Sequence, residues 1–348
     1  MSRGSKLRRI FSYRILLITI LFCLGLIPYI ASRDFSVGGP IRIVDHHRDV
    51  SAEKYVTLLA PSSPHPWDQG NVDHYFETIT IMAHRLLHNP YTKDPLNREF
   101  LVLATHSVKP KQVSILRQLG ARVRIVQTLP PPSNVDPARV YYRWKDQYTK
   151  LLLWNMTEYR RIVYIDADSL IIKPISELFD LQPLHKHGEK WMFASVYDAA
   201  PIKGFGKYPD PLPLLGPDDK WGWPEFSGGQ FVLMPTRAQS NYIFSIYNNP
   251  PDVDFVSTME QSFLRYAYRD DGPYPWIRLS QIYNTQYARA VDMSASKVIH
   301  EKSWIGGPNN VQELKEEWHR GWGEVQGYLA QKQGLEVYGK EKHPITKP

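Results

Sequence analysis

Apolar and polar positions along residues 55–126 predict strands and helices in alternation. Apolar, β-branched runs predict strands at residues 55–60, 100–105 and 123–126. Between them, apolar positions recur at helical spacing from Tyr75 to Leu86, and Pro110 opens a short helix that ends at Gly120. Because strands and helices alternate, the pattern predicts an α/β fold with βαβ units on a parallel sheet.

The pattern continues with a loop, a helix and a further strand. The Pro-rich residues 128–137 predict a loop, and residues 148–158 predict a helix that delivers the chain into a strand ending at Asp166. One more helical turn is predicted at residues 175–179. Residues 181–224 are rich in Pro, Gly, Trp and Asp, which favours a loop system that faces a substrate over a simple linker.

Residues 160–172 carry the strongest functional signal. An apolar stretch predicts a buried strand that runs directly into Asp166 and Asp168, and a second apolar stretch follows. Burying two carboxylates is costly unless a positive charge lies between them. At the carboxyl end of a strand, where open α/β sheets bind ligands, both can converge on one cation. The pattern favours a cation held against a diphosphate; the alternative is a polar turn that contains two aspartates.

The first residues predict a membrane anchor. Residues 1–14 form a basic tail, and residues 15–31 follow without a charged side chain. This apolar span is short for a membrane helix but suits the thinner membranes of the early secretory route. The basic flank predicts a cytosolic amino end, a stem at residues 32–53 and a lumenal domain at residues 54–348. A cleaved signal peptide is the alternative, although no clear small-x-small cleavage site is present.

Charge and cysteine content agree with this organisation. Of the formal net charge of +7, residues 1–14 contribute +5, which leaves +2 for the rest of the chain. The basic balance therefore indicates a membrane flank and no nucleic-acid surface. The single cysteine, Cys23, lies in the apolar span, so the predicted lumenal domain contains no disulfide. Asn155 begins a glycosylation sequon on the helix predicted for residues 148–158.

The chain resembles glycosyltransferase family 8, the glycogenin-like group, over residues 55–304. The resemblance rests on four ordered motifs: Tyr-Ile-Asp-Ala-Asp at residues 164–168, Phe-Ser-Gly-Gly-Gln-Phe-Val at 226–232, Glu-Gln at 260–261 and Val-Ile-His at 298–300. It implies a GT-A fold, with a single Rossmann-like mixed sheet flanked by helices, here after an amino-terminal transmembrane helix. It also implies retaining, Mn²⁺-dependent transfer of a sugar from a UDP-sugar.

The resemblance assigns roles residue by residue. It implies Mn²⁺ ligands at Asp166, Asp168 and His300, a donor set that suits this ion. It places Glu260 and Gln261 at the anomeric carbon, where one of them would stabilise the oxocarbenium-like transition state or attack transiently. The implied donor-binding residues are Leu58, Ala60, Lys150, Asp166, Ala167, Asp168, Ser227, Gly228, Gly229 and Lys302.

Several positions depart from the family pattern. Apolar residues follow Leu58 where relatives have polar ones, Ser227 replaces an asparagine, and Glu260 replaces an aspartate. The segment from His300 to Trp304 is shorter than in relatives. These residues also have structural alternatives: a solvated helix lysine for Lys150, a tight turn for residues 226–229, a helix cap for residues 260–261 and a satisfied surface histidine for His300.

We therefore expect a single-pass type II protein of the Golgi or ER membrane that transfers a sugar from a UDP-sugar to a glycan or glycoconjugate. The chain as a whole resembles fungal N-acetylglucosaminyltransferases of the family. This resemblance favours GlcNAc as the transferred sugar, with glucose as the second choice. The alternative is a catalytically silent member that binds glycans or acts as a scaffold. A nucleotidyltransferase or phosphatase is disfavoured because the chain lacks a P-loop or another phosphate-transfer motif.

Overall fold

The computed structural model describes residues 49–60, 73–141, 144–186, 188–199 and 225–334, all within one unit, Asp49–Pro348. The predicted tail, the anchor at residues 15–31 and most of the stem lie outside the described residues, as do residues 200–224 of the predicted loop system. Within the described ranges, no helix combines the length and the apolar character that a bilayer crossing requires.

The described strands and helices alternate in the first half of the domain, as predicted. The strands are β1 (Glu53–Leu59), β2 (Glu99–Thr105), β3 (Arg122–Val126), β4 (Arg161–Ile165), β5 (Ser169–Ile171), β6 (Leu184–Lys186), β7 (Glu189–Trp191), β8 (Phe193–Tyr197), β9 (Phe226–Leu233), β10 (Ile277–Arg278) and β11 (Val298–His300). The α-helices are α1 (His74–Leu87), α2 (Pro110–Gln118), α3 (Arg237–Asn248), α4 (Glu260–Ala267) and α5 (Gln312–Lys332). The 3₁₀ helices span Val50–Ala52, Pro137–Arg139, Gln147–Asn155, Ser176–Asp180, Gln281–Tyr283, Ala290–Ser294 and Ser303–Ile305.

A seven-stranded mixed sheet forms the centre of the domain, in the order β10-β8-β9-β4-β1-β2-β3. Strands β4, β1, β2 and β3 are parallel, whereas β9 runs antiparallel to both β4 and β8. Two small antiparallel sheets, β5–β11 and β6–β7, accompany it. Because β1 and β4 are parallel, their carboxyl ends lie at the same edge of the sheet.

Two hydrophobic clusters cover the two faces of this sheet, because successive strand residues point to opposite sides. On β1, Tyr55 and Leu59 join one cluster, and Val56 and Leu58 join the other. The first cluster includes the apolar faces of α1, α2 and α5, and the second includes α3, α4 and the 3₁₀ helix Gln147–Asn155. The sheet is thus buried on both faces, and its strand ends carry the polar chemistry.

The structure corrects several element predictions. The helix predicted at residues 148–158 is the 3₁₀ helix Gln147–Asn155, a difference that apolar spacing cannot resolve over nine residues. Strands β6, β7 and β8 occupy part of the predicted loop system, and β8 is buried at every position, so its sequence shows no polar alternation. Residues 226–229 lie within β9 and form no turn. The predicted single sheet is accompanied by two small ones.

Candidate active site

The carboxyl end of β4 positions the two aspartates. Strand β4 ends at Ile165, and the backbone N–H of Asp166 donates to the carbonyl of Gly229 on β9 at 2.8 Å. The chain then turns through Asp168 into β5, whose first residue pairs with His300 of β11. This small sheet brings a histidine from far along the sequence next to the aspartates.

Asp166, Asp168 and His300 form a three-residue group whose candidate ligand atoms lie within 4.8 Å of one another. The Nε2 atom of His300 lies 3.1 Å from Oδ1 of Asp168 and 3.9 Å from Oδ2 of Asp166. Two carboxylates and one imidazole suit a divalent ion such as Mn²⁺. The structure thus brings together the three ligands that the sequence predicted.

Gly229 makes room for the histidine of this group. A Cβ atom built at Gly229 would lie 2.1 Å from Cε1 and 2.2 Å from Nδ1 of His300, so any side chain there would displace the ring. The backbone of β9 therefore forms one wall of this candidate metal site. This contact explains one of the two glycines of the motif at residues 226–232.

The charges of the group stabilise one another. Burial disfavours the imidazolium of His300, but the charge and hydrogen bond of Asp168 outweigh it and raise the pKa of His300 to about 9. Burial also opposes the carboxylate of Asp168, yet the His300 charge and hydrogen bond hold the pKa of Asp168 well below its usual value. The carboxylates of Asp166 and Asp168 thus stabilise a positive charge at this position.

Lys150 connects the candidate metal site to the predicted catalytic pair. Its Nζ lies 2.7 Å from Oε1 of Glu260 and 2.9 Å from Oδ1 of Asp166, and its side chain is only 3% exposed. The hydroxyl of Tyr164 donates to the same Asp166 oxygen at 2.7 Å. Burial raises the pKa of Glu260 and the charge of Lys150 opposes this shift. Lys150 is therefore a buried cation between two carboxylates, which excludes the alternative of a solvated helix lysine.

The start of α4 directs Glu260 and Gln261 toward the site. The residue before the helix, Met259, is buried and has φ = 53° and ψ = −126°, a conformation that is uncommon and strained for a residue with a side chain. The side-chain oxygen of Gln261, Oε1, accepts a hydrogen bond from the backbone N–H of Gly228. The N-cap residue of the helix is Met259 and no side chain caps it, so the alternative of a helix cap for Glu260 and Gln261 is wrong. The pair forms the first two residues of the helix and lies beside Lys150 and β9.

Ser227 is buried, and its hydroxyl is surrounded by donors. It accepts hydrogen bonds from Nδ2 of Asn284 at 3.0 Å, from Nε2 of Gln286 at 3.2 Å and from the backbone N–H of Gly229 at 3.2 Å. The side chain is only 1% exposed. Ser227 therefore supports the β9 backbone next to the site, and its predicted contact with the donor sugar stays a prediction.

The remaining predicted donor-binding residues lie around the same edge. Because Val56 pairs with Tyr164, Leu58 lies level with Asp166, and Ala60 follows just beyond the end of β1. Ala167 packs in part against the first hydrophobic cluster. Lys302 precedes the 3₁₀ helix Ser303–Ile305, and its positive charge helps to lower the pKa of Asp168. The contact of these residues with a donor stays a prediction.

Three further polar residues lie around this edge, and the sequence pattern did not predict them as part of the site. Tyr164 lies two residues before Asp166, on the same strand face, so the period of two could have revealed it. Asp198 follows β8 inside the segment that was predicted as loop, and it accepts from Nε2 of Gln261 at 3.0 Å. Arg265, one turn after Gln261 on α4, forms an ion pair with Asp198. Asp198 and Arg265 are partners of each other and lie 67 residues apart, so local spacing gave no signal for either residue.

The fold and the site define the class of protein. A mostly parallel mixed sheet flanked by helices, with an acidic pair at its carboxyl edge, is a GT-A-like α/β fold. The structure of the WbbM bifunctional glycosyltransferase is similar, with a TM-score of 0.52 and 15% sequence identity, over 82% of this chain and 52% of that chain. At this identity the similarity establishes the fold alone.

Sequence comparisons then match part of the chain to a family. Residues 70–198 match the family model described as Glycosyl transferase family 8. An uncharacterized protein of Schizosaccharomyces pombe is 27% identical over 315 residues, which cover 81% of this chain and 80% of that protein. Galactinol synthase 7 of Arabidopsis thaliana is 29% identical over 201 residues, 53% of this chain and 57% of the plant protein. These matches support a glycosyltransferase family 8 domain, as the four motifs predicted.

The matched domain covers only part of the site. It contains Lys150, Asp166 and Asp168, and it ends at Asp198. Residue His300 and the start of α4 lie beyond it. The geometry, rather than the domain match, joins these later residues to the aspartates.

Proposed function

We propose that this protein is a metal-dependent, retaining glycosyltransferase that transfers a sugar from a UDP-sugar to a glycan or glycoconjugate. The observation that carries this proposal is the group of Asp166, Asp168 and His300. Gly229 leaves space for the ring of His300, and the group lies beside the buried pair of Lys150 and Glu260. Structural roles alone do not account for a glycine that accommodates a histidine ring next to two carboxylates.

The three ligands would hold Mn²⁺, which would neutralise charge on the departing diphosphate. Lys150 holds the carboxylates of Asp166 and Glu260 in place and adds positive charge at the same edge of the sheet. Glu260 keeps a buried negative charge that can stabilise positive charge at the anomeric carbon. Gln261 presents its amide next to Glu260, and either residue can serve the retaining step.

The donor is proposed to be UDP-GlcNAc first and UDP-glucose second. This preference rests on the resemblance of the whole chain to fungal N-acetylglucosaminyltransferases. The name of the relative galactinol synthase 7 adds UDP-galactose to the donors worth testing.

The compartment is proposed to be the Golgi or ER. The support is the sequence of residues 1–31, a basic tail followed by an uncharged apolar span. The catalytic domain would then lie in the lumen, on a short stem.

Release of UDP tests the function. Purified protein is incubated with Mn²⁺ and each of UDP-GlcNAc, UDP-glucose and UDP-galactose, and UDP release is measured for wild type and Asp166→Ala. We expect release with at least one donor, and a loss on the order of 1,000-fold in the variant, because the metal contributes several kcal/mol at the leaving group. Asp254→Ala, at an exposed aspartate paired with Arg139 at 2.8 Å, is the matched control and should retain full activity.

Two results would overturn the proposal. Unchanged release in Asp166→Ala would remove the metal-dependent mechanism. UDP-sugar or glycan binding without any UDP release would instead support the silent glycan-binding alternative.

A further inference from the structure

Both ends of the Gln261 amide group are engaged. Its carbonyl oxygen accepts from the backbone N–H of Gly228, and its Nε2 donates to Oδ2 of Asp198 at 3.0 Å. An ionised carboxylate can only accept hydrogen bonds, so Asp198 decides which end of the amide is the NH₂ group. The opposite end must then present its oxygen to β9.

Asp198 is itself fixed from several directions. It is 7% exposed, and its backbone N–H donates to the carbonyl of Glu225 at 3.0 Å. Arg265 forms an ion pair with its carboxylate and also donates from Nε to the carbonyl of Phe226 at 3.0 Å. The guanidinium therefore ties the end of β8 to the start of β9 and to α4.

This arrangement lies beside the reaction centre of the proposed function. Gln261 follows Glu260, whose carboxylate contacts Lys150 at 2.7 Å. A Cβ atom built at Gly228 would lie 3.2 Å from Oε1 of Gln261, so the amide packs directly against the β9 backbone. A rotated amide would turn an NH₂ group toward the backbone N–H of Gly228, two donors facing each other.

We propose that Asp198, supported by Arg265, is a positioning residue that fixes the orientation of the Gln261 amide for the sugar-transfer step. The inference rests on the proposed function, and it assigns to Asp198 an effect that is exerted through Gln261. Asp198 would thus affect the rate of transfer far more than the affinity for the donor.

A double-mutant cycle tests this role. The kcat and the donor KM are measured for wild type, Asp198→Ala, Gln261→Ala and the double variant. We expect kcat to fall about 10–100-fold in Asp198→Ala with KM within about threefold, an amount typical of lost positioning. Since Asp198 acts through Gln261, the double variant should be no slower than Gln261→Ala within about twofold.

Two further variants guard against a purely structural effect. Asp198→Asn keeps an acceptor oxygen for Gln261, so its kcat should be about tenfold higher than that of Asp198→Ala. If Asp198→Ala fails to fold, the cycle is run with Asp198→Leu, which has a side chain of similar size and no acceptor oxygen. The control Asp270→Asn breaks a surface pair with Arg278, at 2.7 Å, and should leave both constants unchanged.

The outcomes separate this inference from the function on which it rests. A wild type that releases no UDP from any donor overturns the proposed function, and the positioning role with it. An active wild type in which the losses at 198 and 261 multiply, or in which only KM rises, overturns the positioning role alone. A nonadditive kcat loss with recovery in Asp198→Asn supports it.

Discussion

At each end of the parallel strands of the central sheet, a buried cation lies between two carboxylates. The two ends, here called the amino edge and the carboxyl edge, differ in how far the carboxylates are exposed to solvent. At the amino ends of β1 and β2, Arg98 donates to Glu53 at 2.6 Å and to Asp94 at 2.8 Å, and all three side chains are at most 2% exposed. At the carboxyl edge, Lys150 contacts Glu260 and Asp166, and Asp166 is 19% exposed.

The choice of cation explains the difference. The guanidinium of Arg98 has a rigid fork of donors that satisfies two carboxylates at once, and it also lies 4.3 Å from the ring of Phe179. The ammonium of Lys150 is a point charge that lies close to both carboxylate oxygens of Asp166. One of these oxygens, Oδ2, also lies 3.9 Å from Nε2 of His300. The amino edge is therefore a closed clamp, and the carboxyl edge, about 20 Å away along β1, is an open site.

Removing the closed clamp should cost the most. Arg98→Met removes the guanidinium between two buried carboxylates, and leaves Glu53 with Arg160 and Asp94 with the hydroxyl of Tyr55. We expect the free energy of unfolding to fall by about 3 kcal/mol, because a charge pair is broken while both carboxylates stay buried. Urea unfolding measures this loss, and UDP release per folded molecule should stay within about twofold of wild type. Arg122→Met, at an exposed arginine 3.6 Å from Glu99, is the control and should cost below about 1 kcal/mol. Equal losses in the two variants would contradict the clamp.

The stability that the open site contributes should depend on pH. The pKa of His300 is raised in the folded protein to about 9, so its stabilising charge is fully present below about pH 6.5 and is lost as the pH rises through 9. In EDTA, the free energy of unfolding should therefore decrease by at most about 3 kcal/mol across this range.

Two comparisons check this assignment. His300→Gln should remove most of the decrease between pH 6.5 and 9. Mn²⁺ should also suppress it in wild type, because the metal takes the place of the proton. A decrease that persists in His300→Gln would show that another group titrates.

Of the two buried cations, Lys150 of the open site should contribute less to stability than Arg98. Lys150→Met leaves Glu260 free to take up a proton and leaves Asp166 bonded to Tyr164 and partly exposed. We expect a stability loss of about 1–2 kcal/mol, below that of Arg98→Met, since removing one partner is costly mainly when the remaining charge stays buried. The same variant should lower kcat about 10–100-fold in the UDP-release assay. Full activity would mean that Lys150, like Arg98, is purely structural.

The sequence predicted the parts of this comparison that depend on local pattern. The apolar run before Asp166 is buried at every position of β4, and the aspartate follows directly after the strand, as expected. The parallel half of the sheet was also predicted, because helical and strand spacing alternate there without ambiguity. These features need only a few consecutive residues to be recognised.

Contacts between distant residues could not be derived in this way. Strand β8 is buried on both faces and its sequence lacks alternation, so Asp198 stood in a segment that resembled a loop. The closed clamp joins residues 45 positions apart, and no motif marks Arg98 as its centre. His300 was found through family resemblance, because a single histidine without a neighbouring ligand gives no pattern of its own.

The pairing of β5 with β11 also determines when the site can form during synthesis. Asp166 and Asp168 leave the ribosome more than one hundred residues before His300. The nascent chain can complete β1 to β4 early, but the third ligand arrives only when β11 adds to β5. A chain truncated before Val298 would keep both aspartates and lack the imidazole, so the candidate metal site would be completed late in the maturation of this protein.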